Sequence, residues 1–319
     1  MSSELSDEEI AGLEKALNQF FISYLRPECS EHSPISLAGG FMLFYDTAIQ
    51  YLEKEKENLA PQTQRTYFWN LKKIQHFAPN LDCTAIDEDL IRKIRSHLQD
   101  VGNKPATISK ALSVLRIFVN KMIVDKLISE NPFERIKIGR VYSHRGFLTI
   151  RELKSLYLNF SDRQSVLTPN ERNIMRIFLF SCFTGLRYTD LKTLDASEIF
   201  DWKIRKQTHK TGEPVYIPIP IQARLLMPEK IKAGLVFQVP DNCTFNRTLR
   251  KAAKKLGYYK HIHCHLARHT FATTCITLGI PLPATSKLLG HRNLDTTLIY
   301  AKFVDTFLDK EMRKFNQLK

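Results

Sequence analysis

Four short polar segments interrupt otherwise apolar, structured sequence in the second half of this chain. They are TGLRYTDL around Arg187 and Asp190, HLARH around His265 and Arg268, LLGH ending in His291, and DTTLIY ending in Tyr300. Guanidiniums, imidazoles, a carboxylate and a phenol can together hold an anion, move protons and attack an electrophile. Arg187 and Asp190 stand three apart where a helix restarts after a break at Gly185, so they share a face. His265 and Arg268 share a face in the same way, with Phe271, Cys275 and Leu278 anchoring the opposite side. Gly290 fits the position just past a helix opened by Pro283, which leaves His291 on the exit turn. Asp295 reads as an N-cap, with Tyr300 just over one turn into the next helix. Taken singly, each segment has an ordinary reading, as a helix-start ion pair or a packing tyrosine. The order is what carries information: Arg-x-x-Asp, His-x-x-Arg, Leu-Gly-His, then a tyrosine nine residues after that histidine.

In that order, TGLRYTDL, HLARHTFATTCITLGI and LLGHRNLDTTLIYAKF resemble the catalytic domain of the tyrosine recombinase, or phage integrase, family. The resemblance covers about Phe147 to Ala301, and the helical segment before it resembles the family's core-binding domain. It implies a DNA strand-breaking and rejoining enzyme with Tyr300 as nucleophile and a covalent 3′-phosphotyrosine intermediate. Arg187 and Arg268 would clamp the phosphate, because planar guanidiniums neutralise it bidentately without a proton equilibrium. Ionising a tyrosine of pKa ~10 at pH 7 costs about 4 kcal/mol, so nearby cations and a base must offset it. The resemblance makes His265 the proton acceptor or hydrogen-bond partner and His291 a donor to a non-bridging oxygen. Asp190 would buttress Arg187 or orient an imidazole. Lys210, in Gln-Thr-His-Lys-Thr-Gly, matches the family's hairpin lysine, a general acid on a mobile loop; Lys206 competes, and the Lys-Thr pair before the turn favours Lys210. Because the ester energy is kept in the phosphotyrosine, the family needs no ATP, metal or other cofactor. It assembles as a homo-tetramer on two double-stranded DNA sites with short core sequences and exchanges strands through a Holliday junction. Phe303, Phe307, Leu308 and Phe315 on a basic tail would suit docking of residues 303–319 on a neighbouring subunit, or packing on their own.

The elements that must position these groups follow from apolar spacing. Residues 1–40 form an N-terminal extension with one amphipathic helix over 6–24. Residues 41–133 read as a compact all-α domain of four helices, with Pro61 and Pro105 at two helix starts and Pro132 at the end. Lys104, Thr107, Ser109 and Lys110 cluster at the start of the last of these, as a phosphate-facing surface or as a solvated helix end. Residues 134–147 are basic, contain two glycines and lack helical periodicity; they read as a linker in which Arg140 and Arg145 suit a strand passing over DNA. The catalytic domain spans 148–302. It opens on a capping-box-like Thr149-Ile-Arg-Glu152, continues with an apolar helix over 170–182, and carries a hairpin of Lys203–Gln207 and Val215–Ile219 with a reduced strand before it. The fold class is mainly α with a small antiparallel sheet.

Bulk properties agree. The net charge is +14, while residues 1–33 carry seven acids against two bases, so the rest of the chain is five charges more basic than the total. Such a surface suits a polyanion, although solubility or an anionic membrane would also explain it. Six scattered cysteines without a Cys-x-x-Cys pair read as reduced core residues, and no apolar run reaches the roughly 18–20 residues of a membrane span. With no secretory signal pattern, the reading is a bacterial cytoplasmic protein associated with the nucleoid. His265 and His269 have the i,i+4 spacing of a zinc pair, with His261, His263 and Cys264 nearby, but no glutamate lies between them and no second ligand cluster exists; no metal is expected. A relative that has lost catalysis lacks one or more of the seven polar residues, and all seven are present. A type IB topoisomerase shares the chemistry, but the two-domain size and the LLGH motif favour a recombinase.

Overall fold

The structure is a computed structural model that describes residues 42–139, 146–162, 166–228 and 233–301. These fall into two compact units, one within Met1–Ser143 and one within His144–Lys319. The expected helix over 6–24, Arg140, Arg145 and the aromatic residues of the tail lie outside the described residues.

The first unit is built from α1 (Phe44–Lys54), α2 (Pro61–Phe77), α3 (Glu88–Asp100) and α4 (Pro105–Val124). Proline occupies the first position of α2 and α4, where its missing N–H would have had no partner anyway. Asp87 caps α3 by accepting from the Leu90 N–H. Phe44, Leu71, Ile74, Ile91, Ile94, Leu112, Leu115 and Phe118 form its dry core. The segment after Phe133, read above as the start of a linker, contributes to this core: Ile136 is buried and Ile138 packs against it. The backbone there is fastened too, since Arg95 donates to the Lys137 carbonyl and Ser109 to that of Gly139.

The second unit contains α5 (Ile150–Asp162), α6 (Pro169–Thr184), α7 (Tyr188–Lys192), the strands β1 (Ile199–Phe200), β2 (Lys203–Gln207) and β3 (Pro214–Pro218), then α8 (Ile221–Arg224), α9 (Asn242–Lys255), α10 (Cys264–Thr277), α11 (Leu282–Leu289) and α12 (Asp295–Ala301). The mainly helical fold with a small antiparallel sheet is as the sequence indicates, the strand order being β1-β2-β3. Two details differ. Strand β3 runs one residue earlier than expected, with Pro214 opposite Gln207 and Pro218 opposite Lys203; a proline is tolerated because β3 is an edge strand. At the start of α12 the cap is not Asp295: the Asn293 side chain accepts the Asp295 N–H.

Helix α6 is the centre of this unit, packed by α9 and α10. Thr168 and Glu171 close a capping box at its start, and Phe178 and Phe180 are fully buried, each contributing about 1.5–3 kcal/mol of burial. A smaller cluster of Phe271, Ala272, Cys275, Ile276, Leu289 and Tyr300 joins α10, α11 and α12. Leu278 does not join it; it is the residue that ends α10, and it is exposed.

Candidate active site

Two glycines shape the site. Gly185 ends α6 at φ +73°, and a Cβ there would fall 2.5 Å from Phe271 Cδ1, so both the left-handed backbone and the close approach require glycine. Gly290 ends α11 at φ +60°, where a Cβ would lie 2.7 Å from Val215 Cγ1 of β3. Both turns serve Arg268 on α10. Its Nη1 donates to the Gly185 carbonyl at 2.8 Å and its Nη2 to the Leu289 carbonyl at 2.5 Å. The carbonyl ends of two helices, which are partially negative, thus fix a cation carried by a third. Arg268 is only 3% exposed; burial, and then repulsion from Arg187, pull its pKa down to about 9, which leaves it cationic at neutral pH.

Arg187 precedes the first turn of α7. Burial lowers its pKa, against the attraction of Asp190 and Tyr300. Asp190 is fully buried; its Oδ1 accepts the His209 backbone N–H at 2.8 Å, and its Oδ2 lies 3.9 Å from Arg187 Nη1. Among the described residues, neither Arg187 Nη1 nor Asp190 Oδ2 has a hydrogen-bond partner. The buried Arg268 and half-buried Arg187 guanidiniums repel each other and, with an unused N–H, form an environment that an anion would complete.

Tyr300 comes to the same place from α12. It is 3% exposed, acts electrostatically on both arginines, and its hydroxyl is 2.9 Å from His269 Nδ1. His265 lies one turn earlier on α10, exposed, with its ring edge-on to that of His269 at 4.4 Å between centroids. His291, half-buried on the exit turn of α11, has its Nδ1 2.8 Å from the buried Thr297 hydroxyl.

The turn of the β2–β3 hairpin is fastened to these groups. Asp190 holds His209; the Thr211 hydroxyl donates to the Gly290 carbonyl at 3.4 Å; Arg292 donates to the Thr211 carbonyl and pairs with Glu213 at 2.7 Å. Lys210 sits on this turn, exposed and with no side-chain partner among the described residues. Lys206, in contrast, is buried on β2, where its ammonium donates to both Glu198 oxygens and to the Thr193 carbonyl. That lysine is consumed by structure.

Residues 147–306 match the phage integrase family, and residues 43–138 match the phage integrase SAM-like domain. The chain belongs to the phage integrase family. It is a tyrosine recombinase, an enzyme that breaks and rejoins DNA in site-specific recombination. Among its relatives, the tyrosine recombinase XerC of Bacillus subtilis is 28% identical over 292 residues, covering 84% of this chain and 93% of that protein. The Bacillus licheniformis XerC is 27% identical over 292 residues with the same coverages. A lambda integrase dimer bound to a core site superposes with a TM-score of 0.67 at 20% identity, over 81% of this chain and 95% of that one. A Tn1549 transposon integrase in complex with transposon right end DNA also reaches 0.67, at 15% identity over 86% and 100% of the two chains. At these identities the structural likeness establishes the fold.

In this recombinase, Arg187, Asp190, Arg268 and Tyr300 come together, with His265 on the same helix as Arg268, and His291 and Lys210 on neighbouring turns. Lys104 and Lys110 are exposed and Thr107 half-buried at the start of α4, in the other unit. His269, read from sequence only as half of a metal pair, is the residue overlooked; its place directly after Arg268 was the available signal. Among the described residues no group of three His, Cys, Asp or Glu side chains could hold a metal, and no helix is long and apolar enough to cross a membrane. Thr297, which engages His291, gave no sign in the sequence.

Proposed function

We propose that this recombinase cuts DNA by attack of Tyr300 on a phosphodiester seated between Arg187 and Arg268. The observation that carries this is the pair of guanidiniums, Arg268 buried and Arg187 half-buried with an unused N–H, beside the buried phenol. The Tyr300 oxygen bonds to phosphorus, the bond from phosphorus to the 5′-oxygen breaks, and a 3′-phosphotyrosine and a free 5′-hydroxyl result. Lys210, exposed on a turn that Asp190 and Arg292 tie to the site, supplies the proton for the leaving oxygen. His265 and His291 hydrogen-bond the phosphate oxygens as charge develops, and Asp190 keeps Arg187 and the hairpin in place. Attack by the 5′-hydroxyl of another strand reverses the step, so the ester energy is conserved and no ATP or metal takes part.

The partner is double-stranded DNA with short core sites, engaged through Lys104, Thr107 and Lys110 and through Arg140 and Arg145, in a homo-tetramer on two sites. A lambda integrase tetramer bound to a Holliday junction, with a TM-score of 0.66, supports that assembly. The setting is a bacterial cytoplasm, where the outcome is integration, excision, inversion or resolution of mobile or chromosomal DNA.

The test is a covalent trap. Duplexes that bind the wild-type protein are selected from a randomised pool and nicked so that the cleaved end diffuses away. Wild-type protein should accumulate a covalent DNA adduct, and Tyr300→Phe should bind the same duplexes without forming one. An adduct with the phenylalanine variant, or none with wild type on any selected duplex, overturns the reading.

A further inference from the structure

We propose that Arg292, directly after His291, is a positioning residue that holds the β2–β3 hairpin where Lys210 can protonate the leaving 5′-oxygen. The proposal rests on Lys210 being the acid and assigns the group that sets its place. Lys210 is exposed, with no side-chain partner among the described residues, so its aim is set by the backbone on either side of it. The two flanking residues are held from different elements. Asp190 on α7 accepts the His209 N–H at 2.8 Å. Arg292, on the turn after α11, donates through Nη2 to the Thr211 carbonyl at 2.6 Å and through Nε to Glu213 Oε1 at 2.7 Å. Two arms of one planar guanidinium fix that limb of the hairpin in orientation as well as in distance, which a point charge would not do.

Two further observations make this contact a joint between the hairpin and the turn that carries His291. The hairpin turn is tied within itself: the Thr208 N–H donates to the Glu213 carbonyl at 3.0 Å, and the Gly212 N–H to the Thr208 carbonyl at 2.8 Å. Displacing Thr211 and Glu213 therefore displaces Lys210 with them. Gly290, in turn, lies so close to the hairpin that a Cβ there would meet Val215 Cγ1 at 2.7 Å and Thr208 Cγ2 at 3.0 Å. The Arg292 side chain is 70% exposed, and an exposed ion pair contributes little to stability. Its effect is on geometry. The Lys210 ammonium must stand within hydrogen-bond reach of the 5′-oxygen as the bond from that oxygen to phosphorus breaks and the Tyr300 oxygen bonds to phosphorus. The proton passes to the 5′-oxygen, and the neutral amine takes one back when a 5′-hydroxyl attacks in rejoining.

The experiment measures the rate of adduct formation per folded molecule on the selected nicked duplexes, for wild type, Arg292→Ala, Arg292→Lys and Lys210→Met. Each is also tested on a duplex with sulfur in place of the bridging 5′-oxygen, a leaving group that needs no acid. Arg292→Ala should be slower than wild type by about 10-fold or more on oxygen and within about 2-fold of it on sulfur. Its affinity for the duplex and its urea midpoint should match wild type. Arg292→Lys, which keeps the charge but not the two divergent N–H groups, should stay slow on oxygen and recover on sulfur. No deficit on oxygen, a deficit of the same size on both leaving groups, or full speed with Arg292→Lys overturns the positioning role. A loss of duplex affinity that accounts for the slowing also overturns it, since Arg292 would then be a DNA contact. Failure of sulfur to rescue Lys210→Met instead overturns the acid on which the proposal rests.

Discussion

Gly185→Ala is the sharpest test of how the backbone builds this site. Alanine at φ +73° costs about 1–2 kcal/mol of left-handed strain. Its Cβ, 2.5 Å from Phe271 Cδ1, must also displace a ring that is 9% exposed and packed among Cys275, Leu289 and Tyr300, an overpacking cost of about 1–3 kcal/mol. Together these predict a loss of about 2–5 kcal/mol. Gly257→Ala is the matched control: φ is +83° but nothing lies within 4 Å of the added carbon, so only the backbone cost of about 1–2 kcal/mol applies. Denaturant midpoints of the two variants, read on the unit that holds both glycines, give the difference. A second readout follows because the Gly185 carbonyl accepts from Arg268 Nη1. Displacement there should move the guanidinium and cut adduct formation per folded molecule by about 100-fold, whereas Gly257→Ala should leave it unchanged. Equal destabilisation by both substitutions, or wild-type adduct formation by folded Gly185→Ala, would refute the steric and positioning argument.

Glu171 predicts an acid dependence. Burial opposes its ionisation, but hydrogen bonds from Lys255 and Thr168 outweigh that and hold its carboxyl below the usual 4.5. A carboxylate with a depressed folded pKa contributes stability that is fully present above 4.5 and is lost as the pH falls through the folded value. The gap in urea midpoint between wild type and Glu171→Gln should therefore close below pH 4.5; a gap constant with pH would refute the pairing. The two hairpin lysines should separate cleanly. Lys206→Met strips Glu198 and the Thr193 carbonyl of their ammonium and should lower stability by about 1–3 kcal/mol, with adduct formation per folded molecule retained. Lys210→Met should leave stability alone, lose adduct formation on ordinary DNA and regain it with a sulfur leaving group. The reverse pattern would exchange their roles.

Most of the fold was legible locally. Pro61 and Pro105 mark helix starts because a missing N–H is harmless only there, and Thr149–Glu152 announces a capping box that the structure forms. The order of Arg187, Asp190, His265, Arg268, His291 and Tyr300 is likewise a property of the chain. Spacing along a sequence, however, reports only which residues share a helix face, and these groups come from α7, α10, the turn after α11 and α12. The Lys-Thr pair before the turn favoured Lys210 over Lys206 as the available lysine, but that Lys206 is held by Glu198 and the Thr193 carbonyl is a fact of tertiary packing. Asp190 could have served an imidazole or Arg187; tertiary packing directed one oxygen to the His209 backbone and the other towards the arginine. His269 had the spacing of a metal ligand, and only the approach of α12 made it the partner of Tyr300. The sequence by itself determined the chemical groups and their order. The tertiary structure decided which of them meet, because burial and long-range hydrogen bonds depend on packing between helices that no local pattern encodes.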